Sequence, residues 1–185
     1  MRKHNLVVVA LLGESVLAGI GFLWISWRGL PLEIGTGGIV TNVGLGIFAA
    51  AVMVLLNYAV LWWAPPVRVV RDIRCLYRQT FQPLVARVGI LELVLIAAAA
   101  GIGEEILFRG ALQPEVGLIW SSVIFGGLHT SSRETLAFGV WAMFMGYGLG
   151  FLAAGTNGLL APTVAHGVYD AVAIGYLRWG KFGCQ

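Results

Sequence analysis

Long apolar runs, separated by short polar or glycine- and proline-rich segments, dominate the pattern along this chain. Several of these runs have roughly the 20 residues that a helix needs to span a bilayer. The first run follows a basic start, as in a signal peptide, but it stays apolar as far as Trp27, which favours an uncleaved span. The predicted spans, about six in all, run near 6–27, 38–64, 84–109, 116–131, 134–154 and 159–177.

Composition supports a membrane protein. Of the 185 residues, 58% are hydrophobic and 11% are charged, and the mean hydropathy is +0.85, whereas soluble proteins carry about 25% charged residues. The length allows one domain, so residues 1–185 are predicted to form a single all-α, polytopic transmembrane helical bundle. Residues 1–64 supply two N-terminal spans in this interpretation, 65–83 form a basic interfacial segment, and about 84–177 form the core.

The basic residues predict the orientation of the bundle. They flank apolar segments, as the positive-inside rule places them, so the net charge of +3 gives no reason to expect a nucleic acid partner. With six spans, all of them except Arg28 face one side, and both termini are predicted to be cytoplasmic. The residues on that side are Arg2, Lys3, Arg68, Arg71, Arg74, Arg78, Arg133, Arg178 and Lys181. The run between 68 and 78 has helical spacing, and either lies along an anionic membrane surface or simply fixes topology.

Ionisable residues inside predicted spans are costly and therefore candidates for function. In "GIGEEILFRG", Glu105 and Arg109 stand at i and i+4, so they share a helix face and can form an ion pair. Glu104 lies about 100° around the helix and stays available to a cavity. A purely structural ion pair explains Glu105 and Arg109 but not Glu104. Glu14 and Glu92 are isolated within their spans, and a structural role is expected for both.

Two further motifs place polar residues at i and i+4. "FGGLH" contains Phe125 and His129, and "HGVYD" contains His166 and Asp170, where the carboxylate can orient the imidazole or accept its charge. A lone histidine in such a place is usually structural. Together with Glu104, however, three helices supply the groups that acid–base hydrolysis requires in a water-accessible pocket.

These three motifs, in this order on successive apolar segments, resemble the type II CAAX prenyl endopeptidase and bacteriocin-processing protease family of glutamic-type intramembrane proteases. The resemblance covers about residues 84–177, which it marks as a catalytic core around an intramembrane cavity. It implies peptide hydrolysis without a cofactor, on a membrane-anchored, lipidated or hydrophobic-tailed protein or peptide. It also implies a bacterial plasma membrane as the location.

The resemblance assigns roles to individual residues. Glu104 is expected to be the general base that activates water, and His129 is expected to hold that water. His166 and Asp170 occupy the positions that stabilise the oxyanion. The supporting residues are Glu105, Arg109 and Phe125. Family members often carry asparagine where this chain has Asp170, and an ionised carboxylate would repel an oxyanion. Asp170 is therefore expected either to be protonated or, as we favour, to orient His166.

The predicted spans leave a problem of depth. Glu104 falls in the outer part of the third span, whereas His129 comes at the inner end of the fourth. A tilted, broken or re-entrant fourth helix would bring them together, and Pro114, Gly126 and Gly127 offer places to bend.

Two alternatives stay open. Glu104, His129 and His166 are a chemically reasonable ligand set for Zn²⁺, which would make the protein a zinc-dependent protease. A non-enzymatic transporter could use the same carboxylates and histidines as a proton relay, and a scaffold could retain them without activity. No inverted repeat is visible in support of a transporter.

Overall fold

The structure, a computed structural model, describes residues 3–180, with side chains from residue 6 onward. Arg2 and Lys181, which contribute to the predicted orientation, lie outside the described residues. The helices are α1 Lys3–Arg28, α2 Gly38–Trp62, α3 Arg68–Leu76, α4 Gln82–Val85, α5 Ile90–Glu105, α6 Gln113–Leu128, α7 Leu136–Thr156 and α8 Leu160–Trp179. The π-helical segments Tyr77–Phe81 and Ile106–Leu112 join α3 to α4 and α5 to α6. Residues 3–180 contain no strand, so the predicted all-α bundle is confirmed.

The number of spans differs from the expected six. Within the described residues, three helices are long and apolar enough to cross a membrane: Leu6–Arg28, Gly38–Trp62 and Leu136–Thr156. They correspond to the predicted first, second and fifth spans. A fourth is added if Arg68–Val85 and Ile90–Leu128, bent by 117°, count as one broken span. Helix α8 is long enough but not apolar enough to meet the same criterion, because His166 and Asp170 lower its mean hydropathy.

The chain doubles back where α5 is followed by α6. No loop separates them, but the backbone leaves helical geometry at Gly117, with φ 81° and ψ 166°. The Ser121 hydroxyl donates to the Phe108 carbonyl oxygen at 3.1 Å, and the rings of Phe108 and Phe125 are 4.9 Å apart between centroids. Residues 13 and 17 positions apart in a straight helix would be far beyond contact. The second half of α6 therefore returns antiparallel to the preceding segment.

The position of this break corrects the sequence-based expectation. Bending was predicted at Pro114, Gly126 and Gly127, but the backbone breaks at Gly117, whose positive φ favours glycine. Gly126 has a different use. A Cβ atom there would lie 2.5 Å from the Gly139 carbonyl oxygen, so glycine allows α6 and α7 to touch.

Helices α5 and α8 also pack backbone to backbone. A Cβ atom at Gly101 would lie 2.8 Å from the Gly167 amide nitrogen and 2.9 Å from the Thr163 carbonyl oxygen. This contact is one helical turn from the carboxylates at the end of α5, and it brings them against the middle of α8. The main buried cluster joins α2, α7 and α8 and consists of Ala50, Met53, Leu149, Ala165, Tyr169 and Ala173.

The basic segment predicted over 65–83 is helical, as its arginine spacing indicated. From Arg68 to Val85 the chain forms α3, a π-helical segment and α4. Val70 and Ile73 are buried against the bundle, whereas Arg68 and Arg71 are exposed. The segment is therefore amphipathic, with an apolar side that packs on the bundle and a basic outer side.

Candidate active site

The predicted ion pair between Glu105 and Arg109 is confirmed. Arg109 Nη1 lies 2.8 Å from Glu105 Oε1, and the two side chains are 1% and 0% exposed. Arg109 Nη2 also donates to the Gly146 carbonyl oxygen at 2.8 Å, and the guanidinium lies 4.7 Å from the Phe125 ring centroid. Ion pairing, a carbonyl and a cation–π contact together compensate the burial of this charge.

Glu105 also holds His166. Nδ1 of His166 is 2.8 Å from Glu105 Oε1, the same oxygen that accepts from Arg109. Asp170 was expected to orient this ring, but its Oδ2 lies 3.6 Å from the other ring nitrogen, Nε2. The carboxylate that fixes the imidazole therefore comes from α5, across the close α5–α8 contact, and not from the i+4 position of the same helix.

Glu104 is the carboxylate without a fixed partner, as its position on the helix predicted. Its side chain is 13% exposed, and Oε2 lies 3.7 Å from His166 Nε2, beyond hydrogen-bonding distance. Oε2 is buried, and no described residue donates a hydrogen bond to it. Such an oxygen is available to a water molecule or a substrate.

His129 has one ring nitrogen in use and one free. Its Nδ1 is 2.8 Å from the Phe125 carbonyl oxygen. A carbonyl only accepts, so Nδ1 carries the proton, and Nε2 of the neutral ring is a hydrogen-bond acceptor. The ring lies between two aromatic rings, 4.6 Å from Phe125 and 5.8 Å from Phe138 between centroids. These contacts hold the imidazole just past the end of α6.

The antiparallel return after Gly117 removes the problem of depth. Phe108 and Phe125 face each other across the two helical segments. One turn back from Phe108 is Glu104, and one turn on from Phe125 is His129. The turn therefore brings the carboxylate and the imidazole to the same level, although hydropathy placed them at different depths.

A cavity of about 260 Å³ joins the predicted catalytic groups. Glu104, His129, His166 and Asp170 all line it, and Phe125 lines it beside them. Much of the remaining wall is apolar or aromatic and includes Tyr77, Phe81, Phe138, Trp141 and Leu177. The site is thus a polar centre within an apolar cavity, as a hydrolase acting on a hydrophobic peptide requires.

The same side chains do not form a ready metal site. Among the described residues, no group of three or more histidine, cysteine, aspartate or glutamate side chains is arranged to hold a metal ion. The ligand set considered for zinc, Glu104, His129 and His166, shares the cavity but does not converge on one point in this arrangement. The expectation that no cofactor is needed stays a prediction.

The positions of the two isolated glutamates, Glu14 and Glu92, were not predicted from the sequence. Helix α5 begins at Ile90, not near 84, so Glu92 lies in its first turn and accepts from the Gly89 backbone N–H at 2.7 Å. This is a helix-capping contact. Glu14 of α1 lies against the catalytic motif, since a Cβ atom at Gly103 would be 3.0 Å from Glu14 Oε2.

A hydrogen-bonded pair of cavity residues was missed from the sequence. Tyr169 and Trp141 line the cavity and are hydrogen-bonded to each other. The spacing of Tyr169, three residues after His166, was a usable signal, because i and i+3 share a helix face. Trp141 carried no such signal, since it comes from α7.

Residues 86–172 match the family described as type II CAAX prenyl endopeptidase Rce1-like. This stretch contains every site residue predicted from the sequence, and the match confirms the resemblance seen in the motifs. The family that this stretch matches is one of endopeptidases. With helices that can cross a membrane, the chain is an integral membrane protein.

Among curated proteins, the chain is similar to the uncharacterized protein YpbD of Bacillus subtilis (strain 168). The two are 27% identical over 140 residues, which cover 76% of this chain and 66% of YpbD. The match thus spans just under two thirds of that relative's length. No solved structure matches the chain significantly.

Proposed function

We propose that this protein is a glutamic-type intramembrane endopeptidase that uses a water molecule activated by Glu104 and His129. The observation that carries the proposal is the shared cavity, where the imidazoles of His129 and His166 and the carboxylate of Glu104 line one volume, and where no described residue donates a hydrogen bond to Glu104 Oε2. General bases must lie within hydrogen-bonding reach of the proton they remove, directly or through one water.

The reaction needs no covalent intermediate with the protein. A water molecule donates one hydrogen bond to Glu104 and one to Nε2 of His129, and its oxygen attacks the scissile carbonyl carbon. Glu104 takes the proton as the new C–O bond forms. It then returns this proton to the amide nitrogen as the C–N bond breaks. The carboxylate of Glu104 therefore ends the cycle in the protonation state in which it began.

His166 is placed to stabilise the oxyanion. Its Nδ1 is committed to Glu105, so donation to the substrate must come from Nε2, which faces the cavity beside Glu104 and Asp170. This donation requires both ring nitrogens to carry protons. Asp170 is close enough to compensate that positive charge. Oxyanion donors of this kind commonly contribute about 3–4 kcal/mol to transition-state stabilisation.

The cavity favours a hydrophobic substrate. Its apolar wall suits the membrane-associated or C-terminal part of a lipidated or hydrophobic-tailed protein or peptide, which reaches the site from the bilayer or its interface. We propose a bacterial plasma membrane as the location, as the family resemblance implies, and cytoplasmic termini, as the flanking basic residues indicate.

The test is a comparison of membrane proteomes in cells that express wild-type protein or the Glu104→Gln variant. The amide keeps the size of the carboxylate but is not a general base, so a defined set of cleavages should fall by at least about 100-fold. Glu134→Gln is the matched control, because Glu134 is exposed and is not among the residues that line the cavity. Unchanged cleavage at equal protein level would contradict the assignment as a protease. A transporter or a scaffold would then be the remaining interpretations.

Metal dependence is tested separately, with the purified wild-type and Glu104→Gln proteins. We expect cleavage to persist after treatment with a chelator. Loss of cleavage that Zn²⁺ restores would replace the glutamic mechanism with the zinc-dependent one.

A further inference from the structure

A tyrosine–tryptophan pair on the cavity wall has no part in the mechanism above. Trp141 of α7 donates its indole N–H to the hydroxyl oxygen of Tyr169 on α8, with 3.1 Å between Nε1 and Oη. Both side chains line the cavity that contains Glu104 and His166. The bond therefore crosses between two helices at the surface that a substrate would contact.

The position of Tyr169 is set by its helix and by packing. It follows His166 by three residues and precedes Asp170, so the three side chains lie on one side of α8. Its ring is 8% exposed and belongs to the buried cluster with Met53 and Leu149. A ring held in this way keeps its hydroxyl at a fixed place on the wall.

The chemistry of this bond leaves a directed donor. An indole N–H only donates, so the tyrosine oxygen is the acceptor, and its own O–H is still available. Among the described residues, Trp141 is the hydrogen-bond partner of this hydroxyl. An unused donor on an apolar wall is costly to leave unsatisfied, and a molecule in the cavity can accept from it.

We infer that Tyr169 is a substrate-binding residue whose O–H donates to a backbone carbonyl oxygen of the bound peptide, two residues from the scissile carbonyl. Trp141 is the positioning residue that orients this hydroxyl. The inference rests on the proposed function for the presence of a peptide in the cavity.

Distances along the helix support this placement. Three residues of α8 advance by about 4.5 Å, and an extended peptide advances by about 3.3–3.6 Å per residue. Because successive carbonyls of an extended peptide point to opposite sides, the carbonyl two residues from a scissile carbonyl at His166 faces the same wall as Tyr169, about 6.6–7.2 Å further along. Beyond it, the same side of α8 continues with Ala173 and Leu177, which line the apolar part of the cavity. Backbone recognition at Tyr169 thus needs no particular side chain in the substrate.

The test measures binding, not turnover. The Glu104→Gln protein is titrated in detergent with a fluorescein-labelled peptide of about eight leucine, valine and alanine residues, and anisotropy is corrected with empty micelles. Adding Tyr169→Phe removes one neutral hydrogen bond and should raise Kd about three- to tenfold. Trp141→Phe should raise Kd by less. The double variant should bind like Tyr169→Phe alone, because Trp141 acts through the hydroxyl.

Tyr176→Phe is the matched control on the same helix. Its hydroxyl donates to Asn57 Oδ1 and is not part of the cavity lining, so Kd should not change. Folded fractions are equalised by size-exclusion chromatography before titration. An unchanged Kd for Tyr169→Phe, additive effects of the two substitutions, or absence of saturable binding overturns the inference. Absence of cleavage by the wild-type protein would instead count against the proposed function. Failure of the inference and failure of the proposed function are therefore distinguishable.

Discussion

Two arginine–glutamate pairs lie in different regions of this molecule. Glu105 and Arg109 pair inside the bundle at 2.8 Å, with side chains that are 0% and 1% exposed. Arg28 at the end of α1 pairs with Glu115 in the first turn of α6 at 2.7 Å and 3.1 Å, but these side chains are 49% and 22% exposed. The exposed pair has two hydrogen bonds between its side chains, but we expect the buried pair to have the greater effect on stability.

The difference between the pairs comes from solvent and from their neighbours. Water screens an exposed pair and solvates either partner when the other is removed. A buried partner left alone stays as an uncompensated charge. Glu105 is also bonded to His166, so the interior pair fixes a proposed catalytic ring. We therefore expect burial and connectivity, more than the arginine–glutamate distance, to determine what each ion pair contributes.

The largest expected effect is that of Arg109→Ala. This substitution leaves Glu105 buried without its cation and should cost about 3–5 kcal/mol of unfolding free energy. Folded protein in detergent, measured by size-exclusion chromatography and thermal unfolding, should fall steeply together with activity. Full abundance of this variant would show that the interior pair is not structural.

Gly101→Val should have the next largest effect, because it separates α5 from α8. Its side chain would meet the Gly167 nitrogen and the Thr163 oxygen, and overpacking of this kind costs about 1–3 kcal/mol. The bond from Glu105 to His166 crosses this contact, so activity should fall more than stability. Gly148→Val is the control, since nothing lies within 4 Å of a Cβ atom there. Equal activity in the two variants contradicts the importance of this contact.

Replacing both members of the interior pair separates its two roles. The double variant Glu105→Leu with Arg109→Met removes both charges, so its unfolding temperature should lie closer to that of the wild type than Arg109→Ala does. Activity should still be lost, because Nδ1 of His166 no longer has its acceptor. A double variant as unstable as Arg109→Ala would mean that shape, not charge compensation, dominates the cost.

The smallest expected effect is that of Arg28→Ala. Its exposed partner, Glu115, is solvated after the substitution, so thermal unfolding and activity should both match the wild type. A large loss of stability would show that the surface pair is more than a solvent-screened contact. The measurement is repeated at low and high salt, and no salt dependence should appear in the difference between the two proteins.

Much of the site was readable from local spacing. The i and i+4 positions of Glu105 and Arg109 predicted their pairing, and the 100° offset predicted that Glu104 would be left without a partner. Both follow from helix geometry, which acts over a few residues. The order of the three motifs along the chain was enough for the family resemblance that the match over 86–172 confirms.

The errors came from contacts between distant parts of the chain. Asp170 was the obvious partner of His166 by spacing, but Glu105 reaches Nδ1 from another helix. The bend was placed at Pro114 and Gly126, whereas Gly117 takes the positive φ. The third span was drawn from near 84, whereas α5 begins at Ile90, so Glu92 lies in the first turn of its helix.

The sequence by itself determined the all-α membrane bundle, the buried ion pair and the set of polar residues, because apolar run length and helical periodicity are local properties. Only the tertiary structure decided that Glu104 and His129 lie at one level, that Glu105 holds His166, and that Trp141 orients Tyr169. Each of these depends on which helices approach closely and in which direction they run, and backbone contacts at glycines such as Gly101 and Gly126 set that geometry.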